Sequence, residues 1–318
     1  MSALAGFGHF LPDGVLSNET LAAEFHVTPD WIVSMCGIQT RRVVAAEETV
    51  CDLAERAATA CLQDAGMTPD KLGAIIACTG TPHRQFPGVS AEVQKRLNAP
   101  GIPAFDLHLA SISGLFGVAL ADRMCEQWGP TLVVAAETMT RVLAQEPRVK
   151  ETAILFGDGA GACLVTPGDA PLAIRDICVA SDATFSEALR MDFGSTFQMD
   201  GRTIILHAAR KLARAVAELL EKNSLRVDQV SLFLFHQANL RLLERLMKEL
   251  QIDPHQCFIN GDKYGNTSSA SWLIAASEAK AAGLLRPGMK VVIAAFGAGL
   301  SWGAALVEVV SLVSKTGF

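Results

Sequence analysis

Four short segments carry side chains that chemistry can use. In PAFDLHLASISGLFGVALADRM, residues 103–124, an alternating apolar run ends at Ala110 and a helical pattern begins near Ile112, so Ser111 falls at a strand-to-helix junction. A nucleophile there is backed by free N–H groups and the positive end of a helix dipole, which favour developing negative charge. The competing job is to cap the helix, and the segment by itself favours the cap. In FHQANLR, residues 235–241, His236 follows a buried strand directly and emerges at its C-terminal end, where ligands of α/β sheets gather. A lone histidine in that place is more often structural. KYGNTSSAS, 263–271, offers the Asn266 side chain just before a helix, and its plain alternative is an ordinary turn asparagine. FGAGLSWG, 296–303, is a tight Gly-rich turn that can aim a backbone N–H into a site.

These segments need a frame, and the rest of the chain predicts an α/β one. Strand-like runs at 72–80, 131–137, 230–235 and 290–296 alternate with helical patterns such as LAERAATACLQDAG and AARKLARAVAELLEKNSL. The best boundary is TPGDAP at 166–171, which separates an N-terminal half, 1–168, carrying Ser111, from a C-terminal half, 169–318, carrying His236 and Asn266. The halves echo each other. Each has a buried strand leading to a loop and helix, and each is expected to close with two apolar strands around a Gly-rich turn: ETAILFGDGAGACLVTP in the first, KVVIAAFGAGLSWGAALVEVV in the second. The expectation is an internal duplication of one α/β unit.

Composition narrows the function classes. The chain has 318 residues, half of them hydrophobic, enough for a large core. Every apolar run is broken well short of the roughly 20 residues a membrane span needs, and the N-terminus lacks a basic leader, so a cytoplasmic protein is expected. A net charge of −6 argues against nucleic acid as a partner. Eight cysteines without CxxC spacing point to reduced thiols and no structural metal.

In their order and spacing, HQANLR, YGNTSSAS, FGDGAGA and FGAGLSWGAAL resemble the signature segments of the ketoacyl-acyl carrier protein synthase III family, and the likeness runs from DWIVSMCGI at 30–38 to the last strand. The resemblance implies the thiolase fold, a five-layered αβαβα duplication, and an acyltransferase that needs no cofactor beyond its substrates, acyl-coenzyme A or acyl-carrier protein. An acyl group moves to a cysteine, and malonyl-carrier protein then decarboxylates and attacks it. On this chain the resemblance puts His236 and Asn266 on the malonyl thioester oxygen, and the backbone N–H groups of Ser111 and Ala298 in the oxyanion hole. It puts Trp31 and Lys150 on either face of the coenzyme A adenine, and Asn239 on the pantetheine arm. Phe86, in RQFPG, becomes the residue a homodimer partner inserts into the acyl pocket. Arg241, Arg245 and Lys248, a basic stripe opposite Leu242, Leu243, Leu246 and Leu250, become the dock for the acidic carrier protein.

The sequence departs from the family where it matters most: the cysteine position falls on Ser111. A serine hydroxyl needs a base where a thiol is already partly ionised, and His236 lacks a carboxylate partner in this pattern, the matching residue being Asn266. Three readings stay open: a serine nucleophile in specialised metabolism, an engineered cysteine-to-serine form of a normal condensing enzyme, or a non-catalytic thiolase-fold partner subunit. A thioester hydrolase is a further rival. Ser113 is the fallback nucleophile, and His108 is read as a packing residue. At the donor entrance Met35 and Gln39 replace basic residues, and Arg202 and Leu206 replace a polar residue and a lysine, which predicts weak coenzyme A binding or a carrier-bound donor.

Overall fold

The computed structural model describes residues 2–192 and 195–311. Nine strands form its main sheet: β1 (Ser2–Phe10), β2 (Ala74–Cys78), β3 (Ala104–Leu107), β4 (Thr131–Thr138), β5 (Asp158–Pro167), β6 (Leu172–Ser181), β7 (Leu232–Phe235), β8 (Lys290–Gly297) and β9 (Ser301–Val309). Their spatial order is β3-β2-β4-β5-β1-β6-β9-β8-β7. The duplication is visible in the pairing. In the first half β2 lies parallel to β4, β4 antiparallel to β5, and β5 antiparallel to β1. In the second, β7 lies parallel to β8, β8 antiparallel to β9, and β9 antiparallel to β6. Even β3, parallel to β2, has a remnant counterpart in the parallel bridge between Phe233 and Cys257. The halves join along a short antiparallel seam, Ala3 with Ala173 and Leu4 with Leu172, and the turn at 168–171 links β5 to β6.

Eight helices matter to the site: α1 (Pro29–Cys36), α2 (Val50–Asp64), α3 (Val89–Arg96), α4 (Ser113–Trp128), α5 (Lys150–Ala153), α6 (Gly201–Lys222), α7 (Leu240–Leu250) and α8 (Ser271–Ala281). Strand residues alternate between two faces, and that period of two distributes three cores. Ile75 and Ala77 face α2 and α3. Ile76 and Cys78, with Leu232 and Leu234 of the other half, face the central pair α4 and α8. Phe233 and Phe235 face α6 and α7. With the two halves of the sheet on either side of the central helix pair, the order is the five-layered one that the family resemblance implies.

One expected element is different. ETAILF does not form a strand: residues 150–153 are helix α5, and the hairpin partner of β5 is β4. Ala153, Ile154, Leu155 and Phe156 are buried instead in a small satellite core with Ile32, Cys36 and Ile38 of the α1 region. A short apolar run has no periodicity that tells a strand from a buried turn of helix. Among the described residues no helix is long and apolar enough to cross a membrane.

Candidate active site

Ser111 sits where the chain leaves β3 and enters the central helix α4. Ala110 takes a left-handed conformation, φ 48°, a single 3-10 turn spans Ala110–Ile112, and α4 follows from Ser113. An alanine at positive φ stores roughly 1–3 kcal/mol of strain, a cost typical of functional turns. The serine does not cap the helix: the N-cap position is Ile112, with no side-chain cap bond. Its hydroxyl lies 3.3 Å from that of Ser268. Ser113 is fully buried and donates to the Ala110 carbonyl, so the fallback nucleophile is tied up in the turn. Two glycines allow the close approach. A Cβ on Gly114 would meet the Ser269 carbonyl at 2.8 Å, and one on Gly297 would meet the Ile112 nitrogen at 2.7 Å.

His236 leaves the end of β7 as expected, and its side chain is 2% exposed. Its Nδ1 is 2.6 Å from the Ser271 hydroxyl, which itself accepts from the Gln237 N–H. Among the described residues the Ser271 proton has no other acceptor, so it points to Nδ1, which leaves the other ring nitrogen, Nε2, as the N–H donor. Burial drives the imidazole pKa down to about 3, so the ring is neutral. Asn266 is oriented in the same way: its Oδ1 accepts from the Ser268 N–H at 2.8 Å, and the amide –NH2 is left to donate. Its backbone is pinned to the 155–157 segment by Asn266 N to Leu155 O and Gly157 N to Asn266 O. The buried Arg41 holds that segment in turn, its Nε donating to Ile154 O at 3.1 Å.

A cavity of about 1490 Å³ opens here, and Ser111, His236, Asn266, Ser268 and Ala298 share its wall. Among the described residues the Ala298 N–H has no partner. Trp31, Asn239, Met35, Arg202 and Ile205 line the same cavity. Met35, Met191, Ile205 and Leu206 are all exposed apolar side chains in this region. Asn239 is the N-cap of α7, its Oδ1 accepting from Arg241 and Leu242, while its Nδ2 donates to the Met35 carbonyl. Lys150 Nζ rests 5.3 Å from the Trp31 ring centre. A ring sandwiched between them needs about 7 Å, two van der Waals gaps, so the pair must part to admit a purine. His108, expected to pack, is instead exposed and faces the cavity.

Other expected residues lie apart from the cavity. Phe86 is 82% exposed at the tip of the loop between β2 and α3. Arg241 is committed within the chain, donating to the Val33 and Ser34 carbonyls at the end of α1 and pairing with Glu244. Arg245 and Lys248 are exposed on α7 and, among the described residues, have no ion pair.

Sequence reasoning missed the polar groups behind the wall. Glu137, at the end of β4, is completely buried and receives Ser269 Oγ at 2.6 Å, Thr81 Oγ1 at 2.7 Å and the Gly80 N–H at 3.0 Å. Burial raises its pKa despite those bonds. A carboxylate closing the run TLVVAAE was the available signal. Among the described residues no His, Cys, Asp or Glu cluster could hold a metal ion.

Known proteins share this fold and much of this sequence. Residues 105–183 match the family described as 3-oxoacyl-[acyl-carrier-protein] synthase III, and residues 220–309 match its C-terminal counterpart. The chain is 33% identical to the β-ketoacyl-[acyl-carrier-protein] synthase III of Ehrlichia ruminantium, over 96% of this chain and 99% of that one. It superposes on the crystal structure of the corresponding synthase from Aquifex aeolicus with a TM-score of 0.92 and 34% identity, covering 97% and 100% of the two chains. The priming β-ketosynthase of the R1128 polyketide pathway is similar at a TM-score of 0.90 and 28% identity, covering 98% and 97%.

Proposed function

Because the chain belongs to the ketoacyl-acyl carrier protein synthase III family of condensing acyltransferases, we propose that it forms an acyl ester on Ser111 and condenses that acyl group with a malonyl-type extender held by an acyl carrier protein. The observation that carries this reading is the convergence of Ser111, His236, Asn266 and the Ala298 N–H, unpartnered among the described residues, on one cavity, with Ser111 at the head of a buried helix. In the first half-reaction Ser111 Oγ attacks the donor thioester. The carbonyl oxygen gains charge opposite the backbone N–H groups of Ser111 and Ala298, each donor worth on the order of 10²–10³ in rate. In the second, the malonyl thioester loses carbon dioxide. Nε2–H of His236 and the Asn266 amide donate to the oxygen that becomes an enolate, the enolate carbon attacks the acyl carbonyl, and Ser111 Oγ departs, taking up one proton from solvent to regenerate the hydroxyl. His236 acts as a neutral donor throughout, the state its burial and its bond to Ser271 impose.

The donor entrance supports a carrier-borne acyl group over coenzyme A. Lys150 closes over the Trp31 ring, and the mouth carries Met35 and Ile205 beside the exposed Arg202. Arg245 and Lys248, exposed on α7 and without an ion pair among the described residues, are available to an acidic carrier. The exposed Phe86 fits a homodimer in which it enters the partner's acyl pocket. Housekeeping fatty-acid initiation and specialised metabolism differ in the acyl group used; the altered nucleophile and entrance favour the second.

The test is intact-protein mass spectrometry after incubation with acyl-coenzyme A and acyl-carrier thioesters. The expected result is an acyl adduct on the parent chain that is absent from Ser111→Ala, stronger with carrier thioesters. No adduct on the parent, with rapid labelling of Ser111→Cys, overturns the serine nucleophile and leaves the engineered or partner-subunit readings.

A further inference from the structure

Four arginines line the cavity: Arg84, Arg141, Arg190 and Arg202. Three are spent within the chain. Arg84 pairs with Glu92 at 3.3 Å, Arg141 donates to the Ala45 and Ala46 carbonyls, and Arg190 pairs with Glu187 and Asp192. The fourth is exposed, and among the described residues its side chain has no hydrogen bond and no ion pair. Asp200, the acid nearest to it along the chain, takes the Thr203 N–H on Oδ1 and the Thr203 hydroxyl on Oδ2, so it caps α6 instead of pairing. Lys150, the other cation of the entrance, lies over Trp31 and 3.8 Å from Glu151. The helix sets where Arg202 stands. It is the second residue of α6, three after Met199, and Met199 packs in the satellite core with Trp31 and Leu240. Leu240 adjoins Asn239, the N-cap of α7, and Ile205, one helical turn on from Arg202, lines the same cavity. Met35, Gln39 and Leu206 bring no charge to this region.

Building on the reading of a carrier-borne donor, we propose that Arg202 binds the phosphate of the donor's phosphopantetheine arm, and so makes the site select phosphopantetheine thioesters over bare pantetheine thioesters. A guanidinium presents a planar fork of N–H groups that fits two phosphate oxygens at once. One unpaired arginine suits the single negative charge of the phosphodiester that joins such an arm to a carrier protein. Coenzyme A brings a pyrophosphate and a further phosphate, more charge than one arginine matches. The apolar neighbours Met35 and Ile205 cannot supply the remainder. Arg202 is thus a binding residue for the end of the donor that does not react, and no bond of the donor changes there.

The phosphate itself is the variable to test. Acylation is followed by intact mass with three octanoyl donors: the pantetheine thioester, the phosphopantetheine thioester and the acyl-carrier protein. Each is run in the parent and in Ser111→Cys, so that the answer does not depend on the serine being the nucleophile. At low salt, Arg202→Gln is expected to raise KM for both phosphorylated donors by about five-fold or more, with kcat changed by less than about two-fold, because a uniform binding contact moves KM alone. The bare pantetheine thioester should change by less than about two-fold. The difference between donors should shrink as ionic strength rises. Arg202→Lys should keep part of the phosphate preference, and Arg190→Gln all of it. Equal loss on all three donors, or loss on none, overturns the assignment: the first marks a structural effect on the mouth, the second an idle side chain. Loss of the preference in Arg190→Gln but not in Arg202→Gln overturns it as well. An adduct in Ser111→Cys with none in the parent sinks the serine nucleophile and leaves the Arg202 comparison standing in the cysteine background. No adduct in either background overturns the carrier-borne donor and the Arg202 assignment together.

Discussion

The two halves build the same turn at the head of their central helices and use it in opposite ways. Ala110 and Ser268 both take φ 48°, each opens a 3-10 turn, and each leads into a buried helix, α4 or α8. One residue further on, Ser111 opens onto the cavity, whereas Ser269 is completely buried. The difference lies in the strand end that each turn meets, and the strands cross over: β4 of the first half meets the turn of the second, and β8 meets the turn of the first. Glu137 ends the one and holds Ser269 by its hydroxyl and N–H. Gly297 ends the other and leaves no side chain against Ile112. A duplicated frame therefore offers two helix heads. The size of one residue at each strand end decides which becomes a site and which a plug.

Substitutions that exchange these roles test the comparison. The largest effect belongs to the serines. Ser111→Ala is expected to abolish the acyl adduct, while Ser269→Ala keeps the adduct and loses about 1–3 kcal/mol of folding stability, the cost of removing a hydroxyl from a buried carboxylate. Mass spectrometry and urea titration read the two effects separately. If Ser269→Ala also abolished the adduct, the division into site and plug would fail. Gly297→Ala comes next. Its new Cβ would press on the Ile112 backbone, a contact that must move the turn carrying Ser111. Acylation is expected to fall by about ten-fold or more, because misplacement near 1 Å at a reacting group costs up to 10². An unchanged rate would show that the turn has slack.

The histidine gives a third, smaller effect. His236 follows β7 as Thr79 and its neighbours follow β2, but only the second half places a titratable ring in a buried position there. With a pKa near 3 in the folded chain against about 6.5 unfolded, it stays neutral while the unfolded chain takes up a proton. Folding stability from this group is complete above pH 6.5 and falls as pH drops toward 3; between pH 7 and pH 5 the loss is about 2 kcal/mol. His236→Gln should flatten that part of the pH–stability curve. A curve of unchanged slope would mean that the ring protonates in place.

Much of this was legible in the sequence because each signature segment is contiguous. HQANLR, YGNTSSAS and FGAGLSWG each contain a strand end or helix head together with the residue it presents, so local pattern placed His236, Asn266 and Ala298 correctly on their elements. What escaped depends on the meeting of distant segments. Nothing in TLVVAAE says that its glutamate will meet Ser269 across the two halves. Nor does the α7 sequence show that Arg241 turns away to close the end of α1. The ETAILF run misled because burial in a satellite core and burial in a sheet demand the same apolar residues.

The smallest predicted effect concerns the outer helices, α3 and α7, which occupy corresponding places on the two faces. On α3, Arg96 is surrounded by Asp52, Glu55 and Glu92, a network that spends its charge within the chain. On α7, Arg241 is likewise spent, but Arg245 and Lys248 stand exposed with no carboxylate partner among the described residues. On a chain of net charge −6, such unpaired cations form a local exception that an acidic partner can find. Reversing both, Arg245→Glu with Lys248→Glu, should raise KM for an acyl-carrier protein about ten-fold, with the parent's advantage shrinking as salt rises. Acylation by a bare pantetheine thioester should be unchanged, since neither residue lines the cavity. Reversing Arg96 should instead lower stability and leave KM for the carrier alone. If the Arg245 and Lys248 reversal left carrier kinetics untouched, the dock would have to lie elsewhere on the surface, and the asymmetry between the two outer helices would be a matter of folding alone.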